Sequence, residues 1–62
     1  MKVSEFIRLV KKQGVKFERH GEKHDIYVNP LTGQTTEIPR HKSKELGTGI
    51  RNAMLKDLGL RH

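Results

Sequence analysis

No cysteine occurs anywhere in this 62-residue chain, and at that length the absence is the tightest constraint on the fold. A domain so short buries only about 60% of the surface its unfolded chain exposes, so most folds of this size lean on disulfides or a bound metal. Without thiols there are no disulfides, iron–sulfur clusters or Cys-based zinc sites. The chain must hold itself together by apolar packing, or by leaning on a partner. Only 32% of its residues are hydrophobic, which allows a core of about a dozen side chains. The expectation is one domain over residues 1–62, with no room for a second substrate domain or an enclosed cofactor cavity, and no cofactor. No apolar run approaches the ~18 residues of a membrane span. The opening MKVSEFIRLV is interrupted by Glu5 and Arg8, unlike a secretory signal. These features read as a soluble, cytoplasmic chain.

Charge narrows the choice of partner. Thirteen Lys and Arg against seven Asp and Glu leave a net +6 with neutral histidines. A field of that sign on a small surface favours polyanions, and nucleic acid is the expected partner. The basic residues are spread along the whole chain and not gathered on one amphipathic helix, so a membrane surface is not expected.

Glycines and prolines punctuate the chain into five elements. Ser4 reads as an N-cap with Glu5 in the first turn, Phe6, Leu9 or Val10, and then Gln13 follow helical spacing with Ile7 flanking the stripe, and Gly14 sits where a helix stops. The first helix is therefore expected over residues 4–13, with Lys11 and Lys12 suiting the dipole at its end. Val15 and Phe17 alternate with Lys16 and Glu18, the pattern of a half-buried strand, and Gly21-Glu22-Lys23 reads as a turn. Residues 24–29 form a β-branched and aromatic second strand. Pro30-Leu31-Thr32-Gly33 is a tight turn into a third strand, which Pro39 closes. A polar, glycine-rich connection over residues 40–49 leads to a second helix at 48–58, with Ile50, Ala53, Met54 and Leu58 as its apolar face. Gly59 is its stop, and Leu60 is placed to pack back on Leu55 in a Schellman motif. The order is helix, three strands, helix. The fold expected is α+β, a three-stranded antiparallel sheet with both helices on one face. Its core should comprise Phe6, Val10, Phe17, Ile26, Val28, Ile38, Ile50, Met54 and Leu58.

This order, with basic charge and Lys42 and Lys44 ahead of the last helix, resembles a double-stranded-RNA-binding fold. Four short motifs sharpen it: G-x-x-H-D-I-Y from Gly21 to Tyr27, N-P-x-T-G from Asn29 to Gly33, I-P-R-H from Ile38 to His41, and I-R-x-x-L-K-x-L-G-L from Ile50 to Leu60. Taken in that order, they resemble the HicA family, toxins of bacterial and archaeal toxin–antitoxin pairs. The likeness covers nearly the whole chain. It implies an endoribonuclease of double-stranded-RNA-binding-like fold acting on messenger RNA, without a metal. It also implies a HicB-type antitoxin partner that covers the reactive histidine. The family's catalytic histidine opens the second strand, which places it at His24. Many members carry Gly-Ser immediately before that histidine. Here Glu22-Lys23 stand there, which sets Lys23 beside the reactive position.

The chemistry of the residues bears on each candidate. RNA cleaves itself once its 2′-hydroxyl is deprotonated and aligned with the neighbouring phosphate. The protein need supply only a base, positive charge and orientation. Histidine suits the role because its unperturbed pKa is about 6.5. DNA has no 2′-hydroxyl and is not an expected substrate. His20 and His24 have the spacing H-x-x-x-H, but a turn separates them and no third ligand is evident, so zinc is not expected. His41 is a second-rank candidate near phosphate, and His62 at the terminus reads as frayed. Tyr27 is a candidate to stack on a base, with packing on the sheet as the equal alternative. Arg40, Lys42, Lys44 and Arg51 form the densest basic cluster and are expected to meet phosphates. No G-x-S-x-G, paired carboxylate motif or phosphate-binding glycine loop is present. A non-catalytic RNA-binding module of the same fold is the remaining alternative.

Overall fold

A computed structural model describes residues 1–60; the expectation for His62 lies outside the described residues. The elements are α1 (Val3–Lys12), β1 (Lys16–His20), β2 (His24–Val28), β3 (Thr35–Pro39) and α2 (Thr48–Asp57). The sheet has the order β1-β2-β3 with both pairings antiparallel, the order of double-stranded-RNA-binding folds. Buried residues of α1 and α2 join Tyr27 and Ile38 in one cluster, so both helices cover the same face of the sheet.

The start of α1 differs from the sequence expectation. Its cap is Lys2, not Ser4. The first N–H groups of a helix have no partner within it. Here they are satisfied from elsewhere in the chain. Val3 N–H donates to the Lys44 carbonyl at 2.9 Å and Ser4 N–H to that of Lys42 at 3.0 Å. The Glu5 carboxylate accepts from Lys2 N–H at 2.8 Å. The polar connection that follows β3 is therefore anchored across the N-terminus of α1, and Leu46 from the same segment is buried in the core.

Strand β2 is packed one residue out of the expected phase. Asp25, Ile26 and Tyr27 are all buried, so burial alone does not show which side faces the helices. Pairing does: Asp25 lies opposite Ile38 and Tyr27 opposite Thr36. Ile38 and Tyr27 belong to the helix-covered cluster, and Ile26 and Val28 alternate onto the other face. Ile26 is buried there beside Gly21. A Cβ on Gly21 would stand 2.6 Å from the His24 carbonyl oxygen and 3.3 Å from Ile26 Cδ1. Only glycine lets the hairpin close that tightly.

Two other expected core residues are not in the core. Phe17 is 43% exposed, because β1 is an edge strand whose residues are all exposed. Ile50 is 59% exposed and Ala53 is also exposed, because α2 turns Met54, Leu55 and Leu58 inward instead. Its C-terminus fixes that rotation. Gly59, at φ +71°, donates to the Lys56 carbonyl at 2.9 Å, and Leu60 donates to that of Leu55 at 2.8 Å, the expected Schellman closure. The buried Asn29 side chain then donates to the Leu58 carbonyl at 2.8 Å, while its Oδ1 accepts from Leu31 N–H at 3.1 Å. One amide thus shapes the β2–β3 turn and ties it to the end of α2.

Candidate active site and RNA interface

His24 opens β2 and is half-buried. It lines an open groove together with Pro39 from β3, Lys44 from the connection, and Ile50, Met54 and Asp57 from α2. Its main chain is held by the hairpin, since Gly21 N–H donates to the His24 carbonyl at 2.8 Å. Lys23 is exposed in the turn directly before it. The arrangement presents an imidazole and an ammonium group to one open groove, which can bind a phosphate and move a proton beside it.

Behind His24 lies a network that the sequence reading does not contain. The Asp25 carboxylate accepts from His20 Nδ1 at 2.7 Å and from Arg40 Nε at 2.9 Å. Arg40 Nη2 also donates to the Gly21 carbonyl. One guanidinium thereby ties the end of β3 to both sides of the turn that carries His24. The His20 bond, and after it the Arg40 bond, hold the Asp25 carboxyl below its ordinary range. An ionised carboxylate only accepts hydrogen bonds, so His20 carries its hydrogen on Nδ1 and turns Nε2 away from Asp25.

Arg40 has a structural task that the sequence does not show. Its charge is balanced by Asp25, and it acts as a clamp on the hairpin. Tyr27 takes the packing alternative: it is buried in the core, where burial raises its phenol pKa. His41, Lys42 and Lys44 remain exposed on the connection, held by its backbone bonds to α1. Lys44 reaches the His24 groove; Arg51, half-buried on α2, is not among the residues lining it. His20 and His24 do not converge, since His20 faces Asp25. Among the described residues no three His, Asp or Glu side chains cluster as metal ligands. The signal for the missed pair was in the hairpin register. His20 and Asp25 are the first residues paired across the turn, and an imidazole opposite a carboxylate at that position is placed for a cross-strand hydrogen bond.

The depressed Asp25 pKa fixes the sign of a pH effect. A carboxylate whose pKa is lowered by folding stabilises the fold above its unfolded value near 4, and that stabilisation is lost as the pH falls through its folded value. Asp25→Asn should therefore lower Tm at neutral pH, with the gap to the wild type starting to close near pH 4 and vanishing only once the pH falls below the lowered folded value. Thermal melts followed by circular dichroism across the acid range test this. A gap that stays constant into acid would mean the carboxylate charge is not what matters.

The family model described as the HicA toxin of bacterial toxin–antitoxin systems matches residues 3–60. A protein of Pseudomonas fluorescens named "Probable mRNA interferase HicA" is 43% identical over 61 residues, 98% of each chain. One of Photorhabdus laumondii subsp. laumondii, "Probable mRNA interferase HicA 2", is 38% identical over 61 residues, covering 98% of this chain and all of that one. No solved structure matches significantly.

Proposed function

This chain belongs to the HicA toxin family, and from that membership we propose that it is an mRNA-cleaving endoribonuclease whose chemistry is carried by His24. The observation that carries the assignment to His24 is its place at the head of β2, in an open groove shared with Lys44 and on a hairpin clamped by Arg40.

In this reading neutral His24 takes the proton from a ribose 2′-hydroxyl. The oxygen attacks the adjacent phosphorus, the bond to the 5′-oxygen breaks, and that oxygen takes a proton from solvent, so the products are a 2′,3′-cyclic phosphate and a 5′-hydroxyl. Lys44 and Lys23 offset the charge that builds on the phosphate. His41, Lys42 and Arg51 hold the flanking backbone. The attacking and leaving groups both belong to the RNA, so no cofactor is needed. A HicB-type antitoxin inhibits by covering His24, and a basic toxin favours an acidic covering surface. Among the described residues no helix is long and apolar enough to cross a membrane. Action on messenger RNA puts the protein in the cytoplasm.

The test is a labelled RNA incubated with the purified protein in excess chelator. Cleavage is expected to persist, and to stop when the residue at the cleaved linkage carries a 2′-O-methyl group. RNA that is bound but never cut would leave a binding module in place of the enzyme.

A further inference from the structure

We propose that Phe17 and His20 form a stacking platform for the nucleobase that adjoins the cleaved linkage. The inference rests on the RNA-cleaving reading of His24 and adds how the substrate is held.

The first observation is a bulge. Strict alternation would place Phe17 and His20 on opposite faces of β1. The register shifts between Phe17 and Arg19, so that Phe17 pairs with Tyr27 and His20 with Asp25. Tyr27 and Asp25 share a face of β2, and the bulge therefore brings both rings to the same side. Bulges re-aim side chains in this way and are frequent beside active sites.

The second is the fixing of two exposed rings by buried groups. Phe17 and His20 stand edge to face with centroids 5.0 Å apart, and Phe17 meets the buried Tyr27 ring at 5.7 Å. The His20 side chain is 74% exposed, yet the Asp25 carboxylate that holds it is 9% exposed. With one member so open to water, the His20–Asp25 pair adds only modestly to stability. What it does achieve is a fixed orientation for an exposed imidazole. Bases splayed from single-stranded RNA stack on Phe and His planes, and these two rings are in contact here. Exposed Lys16 on the same strand suits the backbone that must follow.

The third is position. Asp25 follows His24 directly, so the platform lies one residue along β2 from the reacting group. Phe17 and His20 lie on the β1 side of β2 and the His24 groove on its β3 and α2 side, so a phosphate at His24 and a base on Phe17 lie across β2 from each other. A splayed single strand can reach both and a stacked duplex cannot.

The experiment uses the His24→Ala protein, so that RNA is bound without being cut, and a single-stranded RNA carrying 2-aminopurine beside the cleaved linkage. Stacking quenches its fluorescence. Adding Phe17→Leu should abolish the quenching and weaken binding roughly 5- to 100-fold, the range for loss of one stacked base, with the salt dependence unchanged. Phe17→Tyr, which keeps a ring, should retain both. Lys42→Gln with Lys44→Gln should do the reverse, keeping the quenching and making the log–log salt slope shallower by roughly 0.7 per lost phosphate contact. Wild-type affinity and full quenching in Phe17→Leu would overturn the platform alone. Failure of the His24→Ala protein to bind RNA would overturn the platform and the RNA reading together. Failure of the wild type to cut RNA that it binds with quenching would overturn only the catalytic reading.

Discussion

His24→Ala is expected to lose at least about 100-fold in RNA cleavage while keeping the wild-type Tm, the lower end of what general acid–base catalysis contributes. The separation of activity from stability follows from where the histidine sits. Its side chain lies outside the apolar cluster that the helices and sheet enclose. The bonds that shape its hairpin use its main-chain carbonyl and the Arg40–Asp25–Gly21 clamp, none of which involves the imidazole. An alanine there therefore removes the imidazole and leaves its mounting in place. Single-turnover cleavage of a labelled RNA, with melts of both proteins, reads both effects. A loss of activity that tracks a fall in Tm would return His24 to a structural role.

Phe6→Ala is expected to destabilise the fold by about 3–5 kcal/mol, the range for emptying a buried aromatic site. Phe6 is fully buried and is among the largest side chains sealed in the core. A chain of 62 residues has a total stability of only about 3–9 kcal/mol at the usual 0.05–0.15 kcal/mol per residue. The variant should thus lose at least about a third of the total stability, with the urea midpoint falling in proportion. Leu31→Ala is the matched control. Leu31 is equally apolar but 89% exposed at the hairpin tip, and its loss should stay within about 0.5 kcal/mol. Similar midpoints for the two variants would mean that the core does not carry the stability of this cysteine-free chain.

What was legible in the sequence is what local chemistry decides. Gly14, Gly33 and Gly59 all adopt positive φ, and each ends or turns an element where a glycine stop was expected. The Schellman closure of α2 and the three antiparallel strands follow from the same punctuation. What was not legible depends on contacts between residues far apart in the chain. Ser4 is a good capping residue by type, but the carbonyls of Lys42 and Lys44, some forty positions away, reach α1 first. Ile26 and Val28 are the more apolar residues of β2, yet Tyr27 faces the helices, because the register with β3 sets the phase. Phe17 reads as core by hydrophobicity, and only the bulge and the edge position of β1 show that it stays at the surface.

The site divides in the same way. The motifs that single out His24 are spread over the whole chain, whereas the groove that it shares with Lys44 exists only in the folded molecule. Arg40 looks like one more cation in a basic run. Its partner Asp25 is fifteen residues earlier in sequence, so its clamp on the hairpin appears only when β2 and β3 are paired. His20 was weighed as a metal ligand because of its spacing from His24, whereas the hairpin sets it against Asp25. In both cases the residue type was recognised as chemically active and the partner was hidden by topology.

The most direct measurement of the central claim is the chemistry of the RNA ends. An oligoribonucleotide cut by the wild-type protein in chelator, and analysed by mass spectrometry, should yield a 2′,3′-cyclic phosphate on one fragment and a 5′-hydroxyl on the other, with neither fragment formed by His24→Ala. A 5′-phosphate paired with a plain 3′-hydroxyl would make water the nucleophile and contradict proton removal from the ribose by His24.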